Sequence, residues 1–116
     1  MFNGFPVLRS FKRIWREENK SDVGLFSILT TDIHLELPYV QSLKGRRSVT
    51  NSMKEKLKAF NVSVMDISGE YAKEADIAFV FLSPNALKAA QYRESIEHML
   101  ERNFSEYHFE LEYEEI

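Results

Sequence analysis

The stretch SLKGRRSVTNSMKEKLKAFNVSVMDIS, residues 42–68, changes its period partway along. Its first part places Val49, Met53, Leu57 and Phe60 at spacings of 4, 4 and 3, so they share one face of a helix. Ser42 supplies a hydroxyl for the N-cap, and the pattern predicts a helix from about Leu43 to Phe60. Asn61 ends it, and Val62 to Ser68 then reads as a strand closed by Gly69. Upstream, Leu25 to Leu37 is a strand in which Leu29, Ile33, Leu35 and Leu37 alternate with Asp32, His34 and Glu36. Pro38 stops it. Downstream, Ile77 to Leu82 is apolar on both faces, as suits a central strand. Ser83-Pro84 reads as an N-cap followed by proline at the first helical position. The helix it opens runs to about Phe104 and is expected to bury Leu87, Ala90, Ile96, Met99 and Leu100. Tyr107 to Glu114 is the last strand, with Phe109, Leu111 and Tyr113 alternating with His108, Glu110, Glu112 and Glu114.

This order predicts an α+β domain over residues 23–116 on the ferredoxin-like βαββαβ plan. Right-handed crossovers place both helices on one face of an antiparallel sheet with strand order 4-1-3-2. The other sheet face is left open. Residues 1–22 read as an N-terminal extension in which Pro6 opens an amphipathic helix. Val7, Leu8, Phe11, Ile14 and Trp15 fall near one face, with Arg9, Lys12, Arg13 and Arg16 between them, and Asn19 to Asp22 form a linker.

The chain's 116 residues amount to one domain, and 44% hydrophobic against 28% charged residues is an ordinary globular balance. Without cysteine there is no disulfide, thiolate metal site or cysteine nucleophile. No run approaches the roughly 18 apolar residues of a membrane helix, and the basic residues among positions 9–16 interrupt any signal-peptide core. No membrane association is expected, and a cytoplasmic location is. The net charge of -3 hides an asymmetry. Residues 1–60 hold 11 Lys/Arg against 6 Asp/Glu, net +5, whereas residues 61–116 hold 4 against 12, net -8. Such polarity suits an electrostatically oriented partner or head-to-tail self-contact.

Within residues 42–68, Ser-Leu-Lys-Gly-Arg-Arg-Ser-Val, Ser-Met-Lys-Glu-Lys-Leu-Lys and Phe-Asn-Val-Ser-Val together resemble the YlxP-like family, domain of unknown function 503. That family joins a Ser-Leu-Lys-x-Lys-Arg helix start to a Phe-Asn-Val-Ser-Val strand. Here Arg46 stands at the usual lysine and Gly45 at the usual glutamate. The resemblance covers about residues 24–116 and implies a ferredoxin-like fold with no established enzyme activity. Family genes often neighbour those for translation and ribosome assembly, which implies a role around the ribosome.

Three surfaces are candidates for function. Lys44, Arg47, Asn51, Lys54 and Lys58 recur at 3, 4, 3 and 4 on the face opposite the apolar one, a spacing able to track a phosphate backbone. Arg46 sits on the apolar side of the first turn, so its stem should pack and its head should reach a sheet end or loop. With Arg46 included, Lys44, Arg46, Arg47, Lys54 and Lys58 form the candidate nucleic-acid site, and the expected partner is the ribosome or RNA. The ordinary alternative is a solvated helix face. The second surface is the open sheet face. Ile77-Ala78-Phe79-Val80 resembles the third-strand motif of RNA-recognition motifs, which would let Phe79 and Phe26 stack on bases. The basic-plus-glycine opening of that motif is absent, since Ala75 and Asp76 stand there. Covering by the extension is the other use of this face. Phe5, Val7, Leu8, Phe11, Ile14, Trp15, Phe26 and Phe79 are therefore the candidate interface, within a homodimer or an oligomerising or small-ligand domain. The third surface is Asp32, His34 and Glu36 beside His108, Glu110 and Glu112. Simple alternation on a wet face explains these residues, so no metal and no cofactor are expected. Without a phosphate loop or nucleophile motif, no catalytic residue is assigned.

Overall fold

The computed structural model describes residues 26–116. The extension at 1–22, with Phe5, Val7, Leu8, Phe11, Ile14 and Trp15, lies outside the described residues. The elements are β1 (Ser27–Glu36), α1 (Leu43–Lys58), β2 (Ser63–Asp66), β3 (Glu74–Ser83), α2 (Ala86–Asn103) and β4 (His108–Glu115). They build one antiparallel four-stranded sheet of order β2-β3-β1-β4, which reads 4-1-3-2 from the β4 edge.

β1 is the organising strand. It pairs along its whole length with β3, from Ser27 opposite Ser83 to Glu36 opposite Glu74, and on its other side with β4. Its alternation therefore fixes which side of each neighbour faces the helices. Leu29, Ile33 and Leu35 of β1, with Ile77, Phe79 and Phe81 of β3, join Met53 and Leu57 of α1 and Ala89, Ile96 and Leu100 of α2 in one buried cluster. Both helices thus cover the same face. Ile28, Thr30 and Ala78, of opposite parity, are also buried but lie outside that cluster.

Phe79 departs from the expectation for the open face. It is 1% exposed within the helix-side core and lies opposite Thr31 of β1 and Val64 of β2. β3 is apolar on both sides, so its own pattern carries no parity, and pairing with β1 decides it. Phe81 stacks at 6.2 Å on Phe79 and at 5.0 Å on Tyr92 of α2. Phe79 can therefore neither stack on a base nor form part of a surface interface.

α1 begins as expected: Ser42 Oγ accepts from Gly45 N at 3.0 Å. It ends in a turn where Asn61 takes φ 58, a left-handed geometry that asparagine tolerates better than most residues. α2 begins later than the sequence suggests. Asn85, not Ser83, is the cap, and its side-chain oxygen accepts from Lys88 N at 2.8 Å. Ser83 closes β3 and donates from Oγ to Asn85 O at 2.8 Å. The buried stripe of α2 is Ala89, Ile96 and Leu100, with Tyr92 and Met99 packed against the cluster. Leu87 is 67% exposed and Ala90 is exposed too, against expectation. Leu87 precedes Ala89 by two positions, about 200° around the helix, so one packed face excludes the other.

Candidate functional site

The outer face of α1 carries the basic stripe. Lys44, Arg47 and Lys58 are exposed and Lys54 is half-buried. The first turn holds no acidic residue, so no carboxylate within it offsets the partial positive charge of the helix N-terminus. Lys58 lies 4.0 Å from Glu55, an exposed pair worth little. Lys54 projects its charge toward Asp66 on β2. Burial pushes the Asp66 carboxyl up, but hydrogen bonds from Ser68 and Thr50 and the Lys54 charge outweigh it and hold it below the ordinary value.

Arg46 is separate from this stripe. Its Nη1 donates to Gly69 O at 2.7 Å, Tyr71 O at 2.9 Å and Glu74 O at 3.1 Å, two hydrogens shared among three carbonyls. The head does reach a loop, the one joining β2 to β3. A second anchor closes the same end: Lys73 Nζ donates to Pro38 O at 2.8 Å, and Leu37 N donates to Lys73 O at 2.8 Å. Arg46 thus works on the protein's own backbone, which removes it from the candidate nucleic-acid contacts.

The face away from the helices changes character along β1. Near Phe26 and Ile28 it is apolar, with Val80 and Leu82 on β3, and Met65 on β2 stands further along, opposite Ala78 at the rank of Asp32. Leu82 and Met65 are 67% and 65% exposed, and Phe26 is half-buried. Toward the end of β1 it becomes acidic. Asp32, His34, Glu74, Asp76, Glu110 and Glu112 line an open depression of about 340 Å³. His34 stands opposite Asp76 in the register and Nδ1 donates to Asp76 Oδ1 at 2.8 Å. That hydrogen bond, with the surrounding carboxylates, raises the His34 pKa despite partial burial. Burial pushes the Asp32 carboxyl up to about 6, helped by the Asp76 and Glu112 charges and opposed by His34. Among the described residues, Asp32 Oδ1 has no hydrogen-bond partner.

The structure brings His34 together with Glu110 and Glu112, as the alternation implied, while His108 pairs with Glu110 at the margin, 3.5 Å away. Asp76 and Glu74 escaped the sequence reading because β3 starts three residues earlier than Ile77. The period-two run Glu74, Asp76, Ala78 was the available signal. Among the described residues no three His, Asp or Glu side chains are placed to hold a metal ion, and no helix is long and apolar enough to cross a membrane.

No curated protein matches the chain. Among solved structures, a de novo designed protein, Foldit4, aligns with a TM-score of 0.48 at 11% identity, covering 77% of this chain and 96% of that one. A family model described as "Protein of unknown function (DUF503)" matches residues 28–112, from the first residues of β1 into β4, and with most of the chain covered the protein belongs to that family.

Proposed function

We propose that this protein is a non-catalytic RNA-binding module that associates with ribosomal RNA through the outer face of α1. The observation that carries the reading is the basic outer face of α1, on the side of the sheet away from the acidic depression. Lys44, Arg47, Lys54 and Lys58 lie on the helix side with no acid in the first turn, while the carboxylates of the depression lie on the other side. A phosphate backbone following α1 meets cations at every turn and a helix N-terminus at one end, and each neutralised phosphate releases counterions. The acidic sheet face repels the same ligand, so the module presents RNA with one side only. This differs from recognition by a sheet surface, for which Phe79 is unavailable. The β-α-β-β-α-β order with two helices on one face supports reading the unit as a ferredoxin-like plan.

The test is a triple charge reversal, Lys44→Glu, Arg47→Glu and Lys58→Glu. Lys54 is spared because it supports Asp66. Co-sedimentation with ribosomal particles and anisotropy titration against ribosomal RNA fragments should both show binding by the parent. The variant should lose at least tenfold in affinity, about 1.4 kcal/mol, with its thermal unfolding unchanged. Equal binding by the parent and a natively folded variant, or no salt-dependent binding by the parent, overturns the reading.

A further inference from the structure

The sheet face away from the helices has two unlike halves. Ile28, Val80 and Leu82 at its beginning, continued through Ala78 to Met65 on β2 at the rank of Asp32, form an apolar strip with Leu82 and Met65 largely exposed. Its end is the acidic depression around Asp32, Asp76, Glu110 and Glu112. A partner for this face must carry an apolar ridge and positive charge on the same short segment. The chain itself contains such a segment. Residues 5–16 hold six large apolar side chains and four cations, Arg9, Lys12, Arg13 and Arg16, with no acid among them.

We propose that residues 5–16 dock on this face of their own sheet, with the apolar ridge of Val7, Leu8, Phe11, Ile14 and Trp15 over the strip and the cations drawn by the depression. Chain geometry allows it. Residues 17–25 separate the segment from Phe26, and nine residues reach up to about 30 Å when extended. The face runs from Ile28 to His34 on β1, six residue-to-residue steps or about 20 Å. Twelve helical residues are about 18 Å long, so a segment that turns back at 17–25 matches that run. On such a helix Lys12 flanks the apolar ridge at about 100° and is the cation placed to meet the rim carboxylates. The three arginines lie further round and add attraction through the field rather than through contact. A short tether holds the segment at a millimolar-range local concentration, so its own sheet is met before that of another copy.

Trp15 is the chain's single tryptophan, so its fluorescence reports on this segment alone. In the full-length protein at low concentration, Trp15 emission should be blue-shifted and shielded from acrylamide, with a monomer mass by sedimentation. Leu82→Glu with Met65→Glu changes two exposed positions. That pair should shift Trp15 emission to the red and raise quenching to the level of a free peptide of residues 1–22, with far-ultraviolet dichroism of the sheet and melting retained. Glu110→Lys with Glu112→Lys should move Trp15 the same way at low salt. The proposal is overturned if parent Trp15 already behaves as in the free peptide. Unchanged fluorescence in the natively folded Leu82/Met65 variant also overturns it, and so does shielding that appears only with dimer formation, which would assign the face to a second copy.

Discussion

His34, Asp76 and Asp32 form a small titrating system on one sheet face, and its sign can be worked out residue by residue. Asp32 has its folded pKa raised to about 6 from 3.8, so the native state holds its proton more tightly than the unfolded chain. That contribution to stability is complete below about pH 4 and is lost as pH rises through 6. The His34 pKa is raised as well. The stability of its pair with Asp76 is therefore present below the unfolded histidine pKa and fades as pH rises through the elevated folded value. Both effects weaken the fold between acid and neutral pH. Asp66, held low, acts in the opposite sense, but comparison of a variant with its parent cancels it. Asp32→Asn should therefore stabilise the protein at pH 7.5 by on the order of 1 kcal/mol, the raw shift being discounted because Asp32 keeps partial contact with solvent. Thermal melts of parent and variant should converge as pH falls from 6 toward 4. A constant difference across that range would show that removal of the charge is not the cause.

Single elements test where the local rules were read rightly. Ser42 was legible as the α1 cap because nothing near it competes, whereas Ser83-Pro84-Asn85 offers two polar side chains in three residues. β3 extends to Ser83, which leaves the cap to Asn85. Asn85→Ala should cost about 1 kcal/mol and speed amide exchange at Lys88, the donor it now satisfies. Ser83→Ala should leave that amide protected. The packed face of α2 departs from the apolar pattern for a related reason. Leu87 is the most hydrophobic residue of its turn, but tertiary packing selects Ala89, which joins the buried cluster with Ile96 and Leu100. The burial of Phe79 and the pairing of Asp76 with His34 belong to register, which periodicity within a strand apolar on both faces does not encode. The alternation of β1 did encode it, once the pairing was known. The Arg46 contacts were legible in direction, from its angle on α1, but their targets required the β2–β3 loop. Arg46→Ala should destabilise by about 1–2 kcal/mol, since three carbonyls lose a charged donor at a partly exposed site. Its signature would be faster exchange at Glu74 N, which bonds Tyr71 O within that loop, with little change at β1.

At the scale of the whole molecule, part of the charge asymmetry of the sequence becomes a difference between the outer face of α1 and the far side of the sheet. The cations of residues 44–58 lie on the outer face of α1, and several carboxylates of residues 74–112 lie beyond the sheet. A helix about 10 Å across, together with the sheet and two layers of side chains, puts the two charge sets on the order of 20 Å apart. Screening sets whether they influence each other. The Debye length is about 8 Å at physiological ionic strength and about 30 Å at 0.01 M. Neutralising Glu110 and Glu112 to glutamine should therefore raise affinity for RNA at 0.01 M salt and leave it unchanged at 0.15 M. Reversal of Lys44, Arg47 and Lys58 should weaken binding at both. Parent binding to a single strand should fall with salt at a logarithmic slope near -2 if three phosphates are neutralised, at about -0.7 each. The glutamine variant should share that slope at higher salt, because its extra affinity comes from a weaker long-range field and not from a new contact. An affinity gain that persists at 0.15 M would place the RNA within contact distance of the acidic face and contradict the one-sided arrangement.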